Sequence, residues 1–433
     1  IFSNLLSCSY KVLKSFRRNY ILLYQAPHNF LQNGKINKNV VSRDIEFPVF
    51  NVPSLYFKKV QTIFSRFSPN LRKFENVVIN PNDKNQKGII LDPNNFEKIN
   101  NELTDQEIQF LKEINCEFND SKINFSRFTV SYNNYFLETL LEWAFDKNTE
   151  LNSRSFVGHI IHINLQEKHL PYQNLIGELI LDYYHPRIKT VVGKLNGVDS
   201  EFRNAELKLL AGKPDYVTTV KENASQFKLD YSKVYWNSRL STEHLRVISM
   251  LKSGDIVYDA CAGVGPFAIP AAKKGCRVIA NDLNSECCQW FRTNVELNST
   301  KKCQISIDMH NMDAKDFIEK VVIPDIIETA NKNKDLTSFY LIMNHPSKAV
   351  EFLSSIVTNN KLDKITHSNV ILNVQCYCFI GREVTQQVVR DQIISHFGNR
   401  MKNLNFRFVR NVSPSKDFYC AEISVNLSPI NDI

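Results

Sequence analysis

The sequence predicts an α/β protein whose C-terminal half is a mostly parallel sheet covered by helices on both faces. Three observations predict it. From Asn237 onward, short apolar runs alternate with amphipathic segments, the pattern of repeated strand–helix units. Within that region, IVYDACAGVGPFAIPAAKKGCRVIANDLN over 256–284 reads as strand, glycine turn, helix, second strand and a terminal acid. The chain holds only 13 glycines in 433 residues, yet two of them, Gly263 and Gly265, share that one turn.

Four segments are expected: a basic N-terminal stretch over 1–45, a small α/β domain over 46–150, a second over 151–236, and the parallel-sheet domain over 237–433. In the first domain, 47–52 reads as a strand and 56–67 has helical apolar spacing. The apolar runs 77–79 and 88–91 flank the turn-rich Asn80-Pro81-Asn82-Asp83 and predict a hairpin. Helices are expected over 104–114, with Asp105 and Glu107 in the first turn, and over 137–145. In the second domain, 158–165 alternates like a strand, 175–182 reads as a helix, and 190–192 and 227–230 as strands.

The C-terminal domain is expected to place strands at 256–259, 277–281, 304–309, 339–343 and 370–377. Helices are expected at 265–273, 285–297, 315–327, 349–356 and 384–397. Its end differs. Runs over 406–412 and 418–425, joined by Ser413-Pro414-Ser415, predict a hairpin and an antiparallel edge strand. Seven strands, mostly parallel with one reversed, make the class I (Rossmann-like) methyltransferase architecture.

The glycine turn by itself leaves the ligand open. Gly263 to Ala268 fits the frame of a dinucleotide fingerprint, which is weak evidence alone. Asp259 precedes the glycines, where an acid would repel a pyrophosphate but attract the cation-bearing methionine end of S-adenosylmethionine. Asp282, at the end of the second strand, is placed to bind ribose hydroxyls. A buried strand over 339–343 ends in Asn344-His345-Pro346, which brings amide and carbonyl groups to the pocket mouth. S-adenosylmethionine is the favoured ligand, with a dinucleotide site or a plain structural turn as alternatives.

The net charge of +8 and pI near 8.8 suit a polyanionic partner, or merely a basic surface. No apolar run approaches the ~18 residues of a membrane span. Ten scattered cysteines without zinc spacing point away from a structural metal and toward a reducing compartment. The chain begins at Ile1 without an initiator methionine, so a fragment or processed product is expected. Residues 1–42 contain no acid, while Lys11, Lys14, Arg17 and Arg18 alternate with Leu, Phe and Tyr. That is the pattern of a mitochondrial transit peptide, or of a basic tail or RNA-binding arm. The mitochondrial matrix is the expected location, with nucleus and cytoplasm as alternatives.

Five segments carry a wider resemblance: GHIIHINLQEKHLPYQNLIGELILD, VDSEFRNAELKLLAG, FKLDYSKVYWNSRLSTEH, VYDACAGVGPFAIPAAKKGCRVIANDLN and MNHPSKAVEF. Together and in this order, they make the chain resemble the eukaryotic and archaeal tRNA (guanine-37-N1)-methyltransferases, which make 1-methylguanosine beside the anticodon. The resemblance spans about 47–425 and is densest over 158–352. It implies a first domain that engages the tRNA elbow, and two more that hold the anticodon loop and S-adenosylmethionine, in a chain that works as a monomer. It implies cofactor contacts at His244, Asp282, Leu283, Asp313, Ala314 and Asn344, with Asp259, Gly263 and Gly265 lining the methionine end.

Guanine N1 becomes nucleophilic only as its proton leaves, and charge then develops on O6. The reaction needs a base at N1–H and a donor at O6. The resemblance assigns these to Glu243 and Arg203, with Asn344 holding the base in line with the methyl group. Plainer roles exist for each. Glu243 lies in a helix-cap region. Arg203 is placed to pair with Glu206 at i, i+3. His244 is a helix histidine, Arg239 serves either a phosphate or its own loop, and His159 and His162 read as strand residues rather than metal ligands. Two departures stand out: Ser238 replaces the family's proline, and His345 replaces an apolar residue. Other readings are an aminocarboxypropyl transferase of the wybutosine pathway, a non-catalytic tRNA-binding relic, and, more distantly, a dehydrogenase.

Overall fold

The computed structural model describes residues 25–79, 83–95, 98–119, 122–145, 151, 154–195, 207–301, 303–332, 338–357, 362, 364–366, 370–413 and 415–428. They fall into two compact units, Ile1–Asn152 with Leu165–Pro186, and Ser153–Asn164 with Arg187–Ile433.

In the first unit, β1 (Leu31–Gln32) and β2 (Lys35–Ile36) form a hairpin. Its two-residue turn has positive φ at both Asn33 and Gly34, the Asn-Gly signature of such turns. The main sheet is antiparallel, with β3 (Arg43–Pro53) at its centre. β3 pairs with β5 (Gln86–Ile90) and β6 (Ile123–Val130), and β4 (Val77–Ile79) flanks β5. The expected helix over 56–67 is an α-helix at Phe57–Phe64 between two 3-10 turns. It buries Phe57, Val60, Ile63 and Phe64 with Phe50, Val52, Ile89 and Leu91 of the sheet. The Asp105–Glu113 helix is capped by Thr104, whose hydroxyl accepts from Glu107 N while the Glu107 carboxylate accepts from Thr104 N. β6 was not foreseen, because this edge strand is mostly half-exposed and offers no apolar run. The Gln173–Tyr184 helix packs against the Leu137–Ala144 helix within this unit.

The second unit has three sheets. β7 (Arg154–Val157), β8 (Ile160–Leu165), β9 (Thr190–Leu195) and β10 (Leu207–Gly212) lie in the order β10-β9-β8-β7. β11 (Val217–Glu222) and β12 (Ser225–Asp230) form a hairpin. The third sheet holds β13 (Ile256–Asp259), β14 (Arg277–Asn281), β15 (Ile307–His310), β16 (Phe339–Met343), β17 (Ile371–Gly381), β18 (Met401–Ser413) and β19 (Lys416–Asn426). Its order is β15-β14-β13-β16-β17-β19-β18. The first five strands are parallel. β19 is antiparallel to both neighbours. The expected hairpin forms, but the reversed strand is the inner one: β19 inserts between β17 and β18, and β18 takes the edge.

Alternate residues of the central strands feed two cores. Ile256, Tyr258, Phe339, Leu341 and Met343 pack to one face, while Val257, Tyr340 and Ile342 pack to the other. The helix expected over 315–327 is interrupted. Ala314–Phe317 is followed by a π turn at Ile318–Val322, then by Ile323–Lys332. Pro324 has no N–H to donate within the helix, which accounts for the register change. The segment expected over 349–356 is two short turns, Ala349–Phe352 and Ser354–Val357.

Candidate active site

Strand order reverses at β13. The chain runs outward through β14 and β15, then returns to β16 on the other side of β13. The loops at the carboxyl ends of β13 and β16 therefore diverge and leave a crevice, the usual ligand position in such sheets.

The glycine turn fills one side of that crevice. Gly265 has φ of +100°, and a Cβ there would lie 2.7 Å from Ile269 Cδ1 and 3.1 Å from Phe291 Cε2. It must be glycine for both reasons. Gly263, at φ +55°, differs: a Cβ there meets no atom within 4 Å and would project into open space. This glycine leaves room for a ligand rather than for the protein.

Asp282, at the end of β14, spans the turn. Its carboxylate accepts from Gly263 N at 2.8 Å and from Asn284 N at 2.9 Å. Burial pushes its carboxyl above the ordinary range, opposed by those two N–H groups. Asp259 lies beneath the turn and is fully buried. Neither of its oxygens has a hydrogen-bond partner of good geometry. Burial first, then the charge of Asp282, raises it to about 8, and the nearby N–H groups of Cys261 and Ala268 offset only part of this. Two acids thus flank one turn, one of them buried without a partner. A cation beside them, such as the sulfonium or ammonium of S-adenosylmethionine, would favour the charged form of both acids and draw off the Asp259 proton.

The remaining walls come from the segment before β13 and from the end of β16. Tyr235, Trp236, Leu240 and His244 line one side, Leu283 the rim, and Asn344 and His345 the opposite side. His244 Nδ1 lies 2.5 Å from Glu222 Oε1, and both side chains are under a tenth exposed. The His244 ring meets Phe267 edge-on. Asn344 lines the pocket, and its amide makes no hydrogen bond to the described residues.

His244, Gly263, Asp282, Leu283 and Asn344 therefore share one pocket, and Gly265 turns the loop between lining residues Val264 and Pro266. Asp313 and Ala314 are not on its wall. Asp313 caps the next helix, accepting from Lys315 N at 2.8 Å. That loop is tied to the site by buried Asn281, which donates to Ala260 O and Met312 O and accepts from Met312 N. Asn311 similarly donates to the carbonyls of Asp282 and Leu283.

Glu243 is buried in the first turn of the Ser241–Met250 helix and is not on the pocket wall. Arg246 grips it with two bonds, Nη2 to Oε1 at 2.6 Å and Nε to Oε2 at 2.8 Å. Tyr377 donates to Oε1 at 2.7 Å. Arg246 also donates to Glu422 and Gln375. Burial pushes the Tyr377 hydroxyl far above its ordinary range, so it stays a donor. Arg203 lies outside the described residues.

Several contributors gave no clear sequence signal. Asn294 and Asn298, buried at i, i+4 spacing, clasp the backbone of β12. Asn294 accepts from Lys228 N and donates to Lys228 O and Val264 O, and Asn298 does the same for Gln226. One helix thereby holds both the β11–β12 hairpin and the glycine turn. Two buried amides in QWFRTNVELN were the available signal. His159 and His162 are used in local bonds, to Asp215 O and Thr218 and to Tyr231 respectively. Among the described residues, no three potential metal ligands converge.

A seven-stranded sheet of this order, with an acid-flanked glycine turn at its switch point, defines a class I methyltransferase domain. Residues 218–372 match the TRM5/TYW2 methyltransferase domain, and 145–215 match the TYW2 N-terminal domain. The chain is 34% identical over 390 residues to the tRNA (guanine(37)-N(1))-methyltransferase of Xenopus tropicalis, covering 89% of this chain and 77% of that one. Against the Drosophila melanogaster enzyme of the same name, identity is 34%, with 96% and 90% covered. Against the Homo sapiens enzyme it is 33%, with 94% and 79% covered. The fold is shared with Trm5b from Pyrococcus abyssi at a TM-score of 0.58 and 21% identity, covering 88% of this chain and 99% of that one. It is shared likewise with the aTrm5 of a complex with tRNALeu, at 0.58 and 20%, covering 87% and 99%. The chain belongs to the tRNA (guanine(37)-N(1))-methyltransferase family.

Proposed function

We propose that this protein transfers the methyl group of S-adenosylmethionine to N1 of guanosine 37 in tRNA, giving the modified base beside the anticodon that supports reading-frame maintenance. The observation that carries the reading is the acid-flanked glycine turn at the switch point, in a chain similar over most of its length to enzymes of that name. S-adenosylmethionine supplies an electrophilic methyl on sulfonium. Asp282 is placed for its ribose, and Gly263 provides the space it needs. His244, held by Glu222, faces the same pocket.

In this reading Glu243 is the base. It would exchange the Tyr377 hydrogen bond on Oε1 for guanine N1–H, with Arg246 balancing its charge. Arg203 would stabilise O6 and Asn344 would orient the ring, so that positioning supplies much of the rate. Asp313 and Ala314 would reach the adenine end by a shift of their loop. The tRNA elbow falls to the first domain, the anticodon loop to the others, and one chain suffices as a monomer. The acid-free N-terminal stretch supports delivery to the mitochondrial matrix, and a fluorescent fusion of residues 1–45 tests this.

The test is methyl transfer from labelled S-adenosylmethionine to tRNA transcripts with G37 or A37. The match of 145–215 to a TYW2 N-terminal domain favours keeping aminocarboxypropyl transfer as a second reading. The mass of the modified nucleoside separates the two.

A further inference from the structure

A second cleft, of about 440 Å³, lies beside the methyl-donor pocket in the same unit, and Trp236 lines both. A close backbone approach builds its wall. Gly158, at φ +58° between β7 and β8, would place a Cβ 2.0 Å from Thr218 Oγ1 and 2.9 Å from Thr219 O. Only glycine lets that turn meet β11. His159 secures the contact, with Nδ1 3.2 Å from Thr218 Oγ1. On the far wall, Asn223 Nδ2 donates to Ser241 O at 2.9 Å, fixing the hairpin tip to the start of the Ser241–Met250 helix.

Cations outnumber acids in this cleft. Arg187 and Lys221 both line it and both are exposed. Among the described residues neither is paired with a carboxylate. The one acid on the wall, Glu222, is buried and engaged by His244. The Arg187 guanidinium rests over the Phe156 ring, 5.3 Å from its centroid. Ser238, at one of the two positions where the chain departs from its family's pattern, adds a hydroxyl. The indole Nε1 of Trp236 is buried without a partner. Two uncompensated cations with hydroxyl donors and an aromatic wall are the chemistry that receives a phosphate and its attached nucleoside.

We infer that this cleft is a phosphodiester subsite, which grips the RNA backbone beside the nucleotide whose base enters the methyl-donor pocket. The inference rests on the tRNA reading above. Arg187 and Lys221 neutralise the phosphate, and the shared Trp236 wall sets the distance from that phosphate to the reacting base.

The test compares wild type with Lys221→Gln, Arg187→Gln and the double variant. Binding of a G37 tRNA transcript is followed by fluorescence anisotropy across a salt series, and S-adenosylmethionine binding by calorimetry. The double variant should bind tRNA about tenfold more weakly at ~0.15 M salt, with the slope of log K against log salt smaller by about one to two. KM for tRNA should rise with kcat nearly unchanged, and S-adenosylmethionine affinity should hold. Arg187→Lys should recover most of the lost affinity. Unchanged affinity and slope would overturn the inference, as would loss of S-adenosylmethionine binding, which would make the two cations structural. Guanosine monophosphate that binds the wild type equally well with and without saturating tRNA would also overturn it, placing a free nucleotide in the cleft. Failure of the wild type to methylate tRNA is a separate outcome: it defeats the proposed function, while the binding series still judges the cleft.

Discussion

Arg246 and Glu243 form a bidentate ion pair one helical turn apart, with N–O distances of 2.6 and 2.8 Å, in a buried setting closed by Tyr377. Arg246 is shared with Glu422 and Gln375, so the guanidinium stays paired if Glu243 takes up a proton. A carboxylate cycling between charged and neutral forms needs such a partner.

Glu243→Gln keeps the shape and removes the group proposed as the base. The expected result is a fall in single-turnover rate of roughly 10²–10⁴, with tRNA and S-adenosylmethionine affinities nearly unchanged. Loss of affinity in place of rate would make Glu243 structural. Arg246→Met strands the buried Glu243 carboxylate, while Glu422 keeps Arg407 and Asn405, and should cost about 3–5 kcal/mol, read as a lower urea midpoint.

Asp259 gives a pH dependence with a defined sign. Its carboxyl stands at about 8 in the folded protein, against 3.8 ordinarily. The unfolded chain therefore loses this proton near pH 4 and the folded chain near pH 8. In between the folded state binds more protons, so stability falls as pH rises across that window and levels off above it. The contribution is on the order of 5 kcal/mol at most. Urea melts of the ligand-free protein at pH 5 and 8 should show the loss. Asp259→Asn should flatten it and weaken S-adenosylmethionine binding.

The two glycines should separate folding from ligand binding. Gly265→Ala meets Ile269 and Phe291 in a strained backbone, so the melting temperature should drop by several degrees. Gly263→Ala meets only open space. It should cost about 1 kcal/mol of backbone strain and a larger share of S-adenosylmethionine affinity by calorimetry.

Asn294→Leu fills the same volume but frees the backbone of Lys228 and the carbonyl of Val264. Hydrogen exchange should rise in β12 and in the glycine turn together, because one side chain holds both. Exchange confined to β12 would contradict that link.

The sheet was legible because its strands are continuous apolar runs between helices, and because Gly263, Gly265 and Asp282 sit at a sharp local signal. β6 and β11 were not, since edge strands with polar alternation carry little hydrophobic period. The reversed strand was foreseen, but its place inside the sheet depends on pairing between distant segments. The role proposed for Glu243 comes from resemblance alone. The grip of Arg246 on it was not legible, because the network joins residues up to 176 positions apart. The cleft of Arg187 and Lys221 is equally non-local, assembled by the Gly158 turn meeting Thr218.

The most direct test is methylation of G37 and A37 transcripts with labelled S-adenosylmethionine, followed by nucleoside analysis. Label is expected in 1-methylguanosine from the G37 transcript and none from A37. Equal labelling of both, or a nucleoside that gains the mass of an aminocarboxypropyl group without the methyl label, would contradict it.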